Sequence, residues 1–307
     1  MNSTIAVIVT YNRLDLLKEG IDALLHQTCP CDILIVDNAS TDETPGWANE
    51  FAEKHPSVLY ENTGANLGGT GGFNYGMRRG VEMGYDYVWI MDDDAIADPK
   101  ALEELHKAGE KLPSYGFLAS VVYWMDGSLC EMNRQRTPSH YLIKEDVDNA
   151  LREECMIPIE TATFVSLLIP KETIRKVGLP IKEFFIWSDD VEYTVRVTVT
   201  NKMPAYIVPT SKILHKTKNN AGSDIVHDDA ERIDRYRFAV RNGYYAYKRY
   251  GTRHFCGYLF HLFMSWIKVW FCSKDHKIKR SWVIFSSFFK GLVFHPQIEY
   301  VKEEDRS

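Results

Sequence analysis

Along the first hundred residues, short apolar runs alternate with longer amphipathic stretches. Residues 4–10 (TIAVIVT) form a β-branched run without polar alternation, which predicts a strand covered on both faces. Leu14, Leu17, Ile21, Leu24 and Leu25 then recur at helical spacing. A second buried strand is predicted in CDILIVD, running into a polar turn at residues 38–42, and a helix follows over 44–54. Residues 57–61 read as a third strand and 66–76 as a glycine-rich loop, after which 75–83 resumes a helical pattern. A fourth strand, 87–91, runs directly into Asp92-Asp93-Asp94. This order predicts an α/β fold with a single Rossmann-like, mainly parallel sheet flanked by helices. Ligands bind such sheets beyond the carboxyl ends of the strands. The polar motifs Tyr11-Asn12, 37–42 and 92–94 each follow a strand end.

Farther on, 117–170 reads as strands joined by long loops, with a polar stretch at 131–154. Residues 162–170 predict another buried strand, and Pro170 opens a short helix. In EFFIWSDDVEYTVRVT two carboxylates stand where an aromatic loop enters a helix. A last short strand is expected at 205–208, before 212–216. The character then changes: 229–249 is a charged, tyrosine-rich helix, 254–272 is densely aromatic and aliphatic, 274–280 is basic, and 281–294 is aromatic again. A boundary near residue 225 divides a catalytic region, 1–225, from a helical C-terminal appendage, 226–307.

Composition narrows the classes. With 36 Lys+Arg against 42 Asp+Glu the formal charge is −6, so no global field recruits nucleic acid. The six cysteines are scattered, and Cys29 and Cys31 have neither redox nor zinc-knuckle spacing, so reduced thiols in a cytoplasmic protein are expected. The N-terminal MNSTIAVIVTYNR has no basic segment before its apolar run and reads as a strand rather than a signal peptide.

Several motifs carry chemistry. Three adjacent carboxylates repel one another, and a hard divalent cation such as Mn²⁺ or Mg²⁺ relieves them; the alternative is a solvated acidic loop. The glycine-rich segment from Asn66 opens a helix, where free N–H groups favour an anion, yet it lacks the Gly-Lys-Ser/Thr of a Walker motif. Residues 37–42 suit either turn chemistry or contact with a ribose or base. Asp189 and Asp190 follow an apolar segment that would raise a carboxylate pKa, and either could equally cap the next helix. His215 could ligate a metal or be structural.

Together, Val9-Thr10-Tyr11-Asn12-Arg13, Asp37-Asn38-Ala39-Ser40-Thr41-Asp42, Asn66-Leu67-Gly68-Gly69 and Asp92-Asp93-Asp94 resemble the ordered motifs of family 2 glycosyltransferases of the GT-A fold, over residues 4–217. Within that family, Asn66 to Phe73, Leu168-Ile169-Pro170 and Phe185-Ile186-Trp187-Ser188-Asp189-Asp190 look like bacterial galactofuranosyltransferases. Related rhamnosyltransferases share an Arg-Asn pair, here Arg241-Asn242. The polymerising galactofuranosyltransferases carry an N-terminal β-rich domain absent from this sequence, and a Trp-His pair where Leu214-His215 stands. A single-linkage enzyme is therefore expected.

The resemblance implies that Thr10, Asn12, Asp37 and Asp42 hold the nucleoside of a nucleotide-sugar donor, UDP-linked by preference. Asn66, Gly68, Gly69 and Asp93 complete the donor site. Asp92, Asp94 and His215 hold Mn²⁺ or Mg²⁺, Asp189 deprotonates the acceptor hydroxyl, and Trp187 and Asp190 bind a glycan or glycolipid acceptor. The expected reaction is a single displacement with inversion, serving cell-surface polysaccharide synthesis in bacteria. The aromatic segment 254–270, interrupted by His254, His261 and Lys268 and followed by basic residues, suggests helices lying in a membrane surface at its inner face, or an oligomer contact. A nucleotidyltransferase is disfavoured because Thr10-Tyr11-Asn12-Arg13-Leu14 stands where a glycine-rich basic loop belongs. The intact acidic motifs disfavour a non-catalytic carbohydrate-binding protein.

Overall fold

The computed structural model describes residues 3–301. The outermost positions of both expected regions, 1–2 and 302–307, lie outside the described residues. The first region builds β1 (Thr4–Thr10), α1 (Leu14–Leu25), β2 (Asp32–Asp37), α2 (Thr44–Lys54), β3 (Val58–Asn62), α3 (Gly68–Glu82), β4 (Tyr87–Asp92), β5 (Ala95–Ala97), α4 (Ala101–Glu110) and β6 (Phe117–Tyr123). There follow α5 (Lys144–Arg152), β7 (Ile157–Pro158), β8 (Leu167–Pro170), α6 (Lys171–Val177), α7 (Asp189–Val195) and β9 (Ala205–His215). Three further helices follow among the described residues: α8 (Tyr236–Tyr250), α9 (Thr252–Cys272) and α10 (Lys277–Leu292).

The nine strands among the described residues join one sheet in the order β3-β2-β1-β4-β8-β6-β9-β5, with β7 added on β9. The half β3-β2-β1-β4 is parallel throughout, as the alternation predicts. Beyond β4 the sheet is mixed, because β8 runs antiparallel to both β4 and β6. The apolar strand sequences explain the placement: alternate residues of β1 face opposite layers, Ile5, Val7 and Val9 towards α3, and Ala6 and Ile8 towards α1 and α4.

Three local expectations change. The glycine-rich segment is not a loop ahead of a helix; α3 begins at Gly68 and runs through the glycines. Their spacing matches β1 beneath: a Cβ at Gly72 would stand 2.4 Å from Val9 Cγ1, at Gly76 2.3 Å from Val7 Cγ1, and at Gly80 2.9 Å from Ile5 Cγ2. Four residues along the helix thus match two along the strand, and the missing side chains let backbone approach sheet. In the polar stretch, α5 forms although it buries only Val147 and Ala150. The expected strand 205–208 does not stop there but continues to His215 as one strand, β9, whose register against β6 shifts between Ser120 and Val121.

The C-terminal helices are joined to the sheet domain. After α10 the chain returns across α6 and α3: Leu179 N–H donates to Glu299 O at 2.8 Å, and the Glu299 carboxylate meets Lys182 at 2.7 Å and Arg78 at 3.1 Å. Val301 is buried in the core cluster on the α3 side of the sheet.

The Gly76→Ala variant is expected to unfold at lower urea, destabilised by about 1–3 kcal/mol, since overpacking outweighs the helix-propensity gain of alanine. At Gly46, in α2, a Cβ would meet nothing within 4 Å, so Gly46→Ala should be neutral or stabilising. Equal midpoints for the two variants would show that the α3 glycines are not packing against β1.

Candidate active site

The acidic motif lies where β4 turns back into β5. Asp92 ends β4, and Asp93 and Asp94 form the turn. The short β5 pairs antiparallel with the end of β9, Ala95 opposite His215, and that register brings a histidine 121 positions away to the carboxylates. His215 Nε2 lies 2.8 Å from Asp94 Oδ1, and one ligand atom from each of Asp92, Asp94 and His215 fits within 4.8 Å of the others. Opposing charge comes from Arg13, whose guanidinium reaches Asp93 Oδ1 at 3.1 Å and Asp94 Oδ2 at 2.9 Å. Thr10 Oγ1 donates to Asp93 Oδ2 at 2.8 Å.

The electrostatics follow from burial. Burial, then the charge of Asp94, pushes the Asp92 carboxyl above its ordinary range. Burial raises Asp93 to about 6, although Arg13 opposes it. Burial also works against the charged forms of Asp94 and His215, but their mutual hydrogen bond and attraction prevail, so Asp94 falls and His215 rises to about 10.

The residues present suit a hard cation. Asn133 Nδ2 donates to Thr163 Oγ1 at 3.1 Å, which leaves Asn133 Oδ1 facing His215 Nδ1 at 2.7 Å. Nδ1 must therefore carry a proton, and Nε2 points at Asp94. Without a cation, that 2.8 Å contact requires a second proton on Nε2; with one, the neutral imidazole offers its lone pair. Two carboxylates and an oriented imidazole form a donor set for Mn²⁺ or Mg²⁺.

The residues expected at the donor side gather at the ends of β1, β2 and β3. Asp37 is fully buried and accepts from Ser40 N–H at 2.8 Å, Tyr60 Oη at 2.9 Å and Asn62 Nδ2 at 3.1 Å, so it braces these strand ends. Asn12, at φ 55°, accepts from Thr41 N–H at 2.7 Å and ties the first strand end to the 38–42 turn. Asp42 lies at the mouth of α2 and accepts from Thr44 N–H at 3.0 Å. Asn66 Oδ1 accepts from Gly68 N–H at 2.9 Å, and Asn38 Nδ2 donates to Gly68 O at 3.0 Å. Gly68 has φ +72°, and a Cβ there would overlap Phe185 O at 2.1 Å; Gly69 has open space around it.

Facing this wall is the segment that carries Asp189 and Asp190. Phe185, Trp187 and Ser188 all have left-handed backbone, with φ of 66°, 67° and 64°. Each such non-glycine residue costs about 1–3 kcal/mol and persists only where its surroundings hold it. The restraint comes from α8: buried Asn242 donates through Nδ2 to Phe184 O at 2.9 Å and to Ile186 O and Trp187 O at 3.0 Å each. Arg241 fixes that amide by donating to Asn242 Oδ1 at 2.8 Å. From the other side Thr70 N–H donates to Phe185 O at 3.2 Å.

This geometry places Asp189 and Asp190 in the first turn of α7, with Asp189 Oδ2 accepting from Thr70 Oγ1 at 2.7 Å. Burial raises both pKa values, and Asp190 is raised further by the negative charges of Asp189 and Asp92. Asp190 also lines a cavity of about 370 Å³. Trp187 packs against Tyr236 of α8, ring centroids 5.0 Å apart.

Four residues with a part in this arrangement have no role assigned from the sequence: Arg13, Thr70, Asn133 and Asn242. Arg13 and Thr70 lie inside recognised motifs, so proximity to them is a usable signal. Asn133 lies 82 positions from His215, and no local pattern connects the two. Asn242 has only its resemblance pairing with Arg241.

Comparison with known proteins agrees with this architecture. Residues 5–167 match the model of glycosyl transferase family 2, and the chain belongs to that family. It is similar to the galactofuranosyltransferase GlfT1 of Mycobacterium tuberculosis, 31% identical over 197 residues, 62% of each chain. The chain thus spans less than two thirds of the length of that relative. The N-acetylglucosaminyl-diphospho-decaprenol L-rhamnosyltransferase of the same organism is 27% identical over 241 residues, 71% of this chain and 77% of that one. Among solved structures, GalNAc-T7 with UDP, GalNAc and Mn²⁺ superposes with a TM-score of 0.61 at 13% identity, over 81% of this chain and 49% of that one. S. aureus TarS 1–349 in complex with UDP superposes with a TM-score of 0.54 at 11% identity, over 95% of this chain and 72% of that one. These likenesses establish the GT-A fold.

Because His215 must lose a proton to ligate, Mn²⁺ binding is expected to release at least one proton, and affinity should rise about tenfold per pH unit between roughly pH 6.5 and 8.5. Calorimetry in two buffers of different ionisation enthalpy measures this. The His215→Gln variant should bind more weakly and lose the proton release, whereas an affinity independent of pH would remove His215 from the ligand set.

Proposed function

We propose that the protein transfers galactofuranose from UDP-galactofuranose to a carbohydrate acceptor, lipid-linked, in a metal-assisted single displacement with inversion. The observations supporting this reading are the Asp92–Asp94–His215 donor set at the end of β4 and a carboxylate of α7, Asp189, held by Thr70 at the glycine-containing start of α3. The nucleoside is assigned to the wall of Thr10, Asn12, Asp37 and Asp42, and the diphosphate and sugar to Asn66, Gly68 and Gly69, with Asp93 beside them. When bound through Asp92, Asp94 and His215, Mn²⁺ or Mg²⁺ supplies positive charge against the diphosphate.

Asp189 is the base in this reading: it takes the proton of the acceptor hydroxyl, whose oxygen bonds to the anomeric carbon as the bond to the diphosphate breaks. Thr70 Oγ1 orients the carboxylate through its hydrogen bond. Asp190 and Trp187 bind the acceptor. The raised Asp189 pKa places the acid limb of the activity profile above that of an exposed aspartate, and activity falls as pH drops through it. A second reading, transfer of rhamnose from dTDP-rhamnose, is favoured by the longer match to the rhamnosyltransferase.

Nucleotide release from UDP-galactofuranose and from dTDP-rhamnose, with Mn²⁺ or Mg²⁺, separates these readings. Turnover of the first donor alone is expected, abolished by EDTA and in Asp94→Ala. In Asp189→Asn, kcat should fall by about 10²–10⁴ while UDP affinity is kept. Turnover of dTDP-rhamnose alone would overturn the sugar assignment, and silence with both donors in the presence of glycolipid acceptors would overturn the proposed donor class.

The C-terminal helices suit attachment to a membrane surface, and we assign that surface to the inner face of the cell membrane. Among the described residues only α9 is long and apolar enough to cross a bilayer, and it buries just Ser265 and Val269. On α9 and α10, Phe271 is 83% exposed, Ile278 77% and Trp282 70%, beside Lys268, Lys274 and Lys277. His261 and Lys268 interrupt α9, which favours lying in the interface over spanning. Co-sedimentation with phosphatidylglycerol vesicles is expected, reduced at least about fivefold in a Phe271→Glu, Trp282→Glu double variant and weakened by salt. A concentration-dependent dimer without vesicle binding would assign the same face to self-association instead.

A further inference from the structure

After α10 the chain comes back across the sheet domain, and its side chains reach the bend ahead of Asp189 by two routes. Phe294 and Ile298 pack against Ile181, Phe184 and Tyr245, with the Phe184 and Phe294 ring centroids 5.8 Å apart. Arg241 lays its guanidinium over Phe294, 4.1 Å from the centroid, and the same guanidinium donates to Asn242 Oδ1 at 2.8 Å. Through Arg241, Phe294 thus supports the amide that holds Phe184 O, Ile186 O and Trp187 O.

The second route is polar. Gly178, at φ +81°, lets the returning segment pass close: a Cβ there would stand 2.5 Å from Ile298 Cγ2 and 2.7 Å from Glu299 O. That approach seats Glu299 between two elements. On the α3 side its Oε2 accepts from Asn74 Nδ2 and from Arg78 Nη2 at 3.1 Å each, and on the other its Oε1 accepts from Lys182 Nζ at 2.7 Å. Asn74 is buried, and its Nδ2 also donates to Pro180 O at 2.7 Å. A cavity of about 420 Å³ opens here, lined by Leu67, Gly71 and Tyr75 together with the clip residues, so the carboxylate bridges a gap that side-chain packing does not fill.

A single ion pair between exposed groups holds little. Glu299 differs, because one carboxylate gathers three donors from two elements, and its backbone is fixed by the bond from Leu179 N–H and by the burial of Val301 in the core. Lys182 opens the short turn 182–184, which ends at left-handed Phe185, four positions before Asp189. We propose that Glu299 is a positioning residue for the transfer step: through Lys182 on one side and Asn74 on the other, it fixes the Asp189 carboxylate relative to the start of α3, where the donor sugar is assigned. This rests on the reading of Asp189 as the base. Among the described residues, the hydrogen bonds of Glu299 go to α3 and to 179–182, not to the nucleoside wall or the metal donor set. Losing the clip therefore lowers kcat and leaves donor binding in place.

Two measurements on the full chain test this. Hydrogen–deuterium exchange reads the bend directly: peptides covering 183–192 should exchange at least about threefold faster in Glu299→Gln and in Lys182→Met, while peptides of β1 and β2 keep the wild-type rate. Nucleotide release from UDP-galactofuranose with Mn²⁺ reads the consequence. In Glu299→Gln kcat should fall about fivefold or more with KM changed less than about twofold, and Lys182→Arg should recover most of the kcat lost in Lys182→Met. Lys182 is exposed, so its variants separate positioning from loss of fold. Unchanged exchange in both variants, equally faster exchange throughout the sheet, or an unchanged kcat with a raised KM would overturn the role of Glu299. If the wild-type protein releases no nucleotide from UDP-galactofuranose, that donor reading fails, and the exchange result alone decides whether Glu299 holds the bend.

Discussion

The arrangement depends on holding three consecutive carboxylates in a protein interior. Asp92, Asp93 and Asp94 leave the sheet at a strand end where Asp92 is half-buried and Asp93 and Asp94 are buried, so water screens them poorly. The fold answers with partners from three directions. Arg13 comes from the start of α1, Thr10 from the end of the neighbouring strand, and His215 from a strand that reaches the site only by pairing with the three residues of β5. These partners do not cancel the charge evenly. Asp94 is stabilised as an anion, while Asp92 and Asp93 are held reluctant to ionise. A site so constituted offers the donor set of a divalent cation, and the mixed half of the sheet is what delivers the imidazole to it.

The opposite wall solves a different problem. Asp189 and Asp190 must enter a helix from an abrupt bend, and three non-glycine residues adopt left-handed backbone to make it. One amide, Asn242 Nδ2, meets three carbonyls of that bend. The helix bearing it begins the aromatic C-terminal region and is followed directly by the exposed α9. The region after residue 225 therefore shapes the site as well as any surface contact, and the Glu299 clip ties its far end to α3 and the segment before the bend.

Much of this is legible in the sequence. Uniformly apolar runs mark β1, β2 and β4 because strands covered on both faces need no polar alternation, and the acidic turn is visible because it follows such a run. The glycine-rich segment reads as a loop because glycine disfavours helices, although its four-residue period, matched to a strand's two, is a sign of helix-on-sheet packing. The split of β9 into two pieces comes from Pro209 and the polar residues beside it, which the irregular register accommodates. The roles of Asn133 and Asn242 are illegible, since each acts across more than fifty positions on groups that carry no pattern of their own.

The seating of α3 on β1 has a further consequence. With Gly72, Gly76 and Gly80 seated on Val9, Val7 and Ile5, the helix cannot slide along the strand without colliding with its side chains. The start of α3, and the Asn66–Gly68 turn ahead of it, therefore behave as part of the sheet's rigid body. The wall that carries Asp189 and Asp190 is instead suspended from side chains of α8. Sequence drift is thus channelled: one wall tolerates little change, whereas the other can be resculpted residue by residue. A single scaffold can in this way keep its grip on one class of substrate while exploring many others.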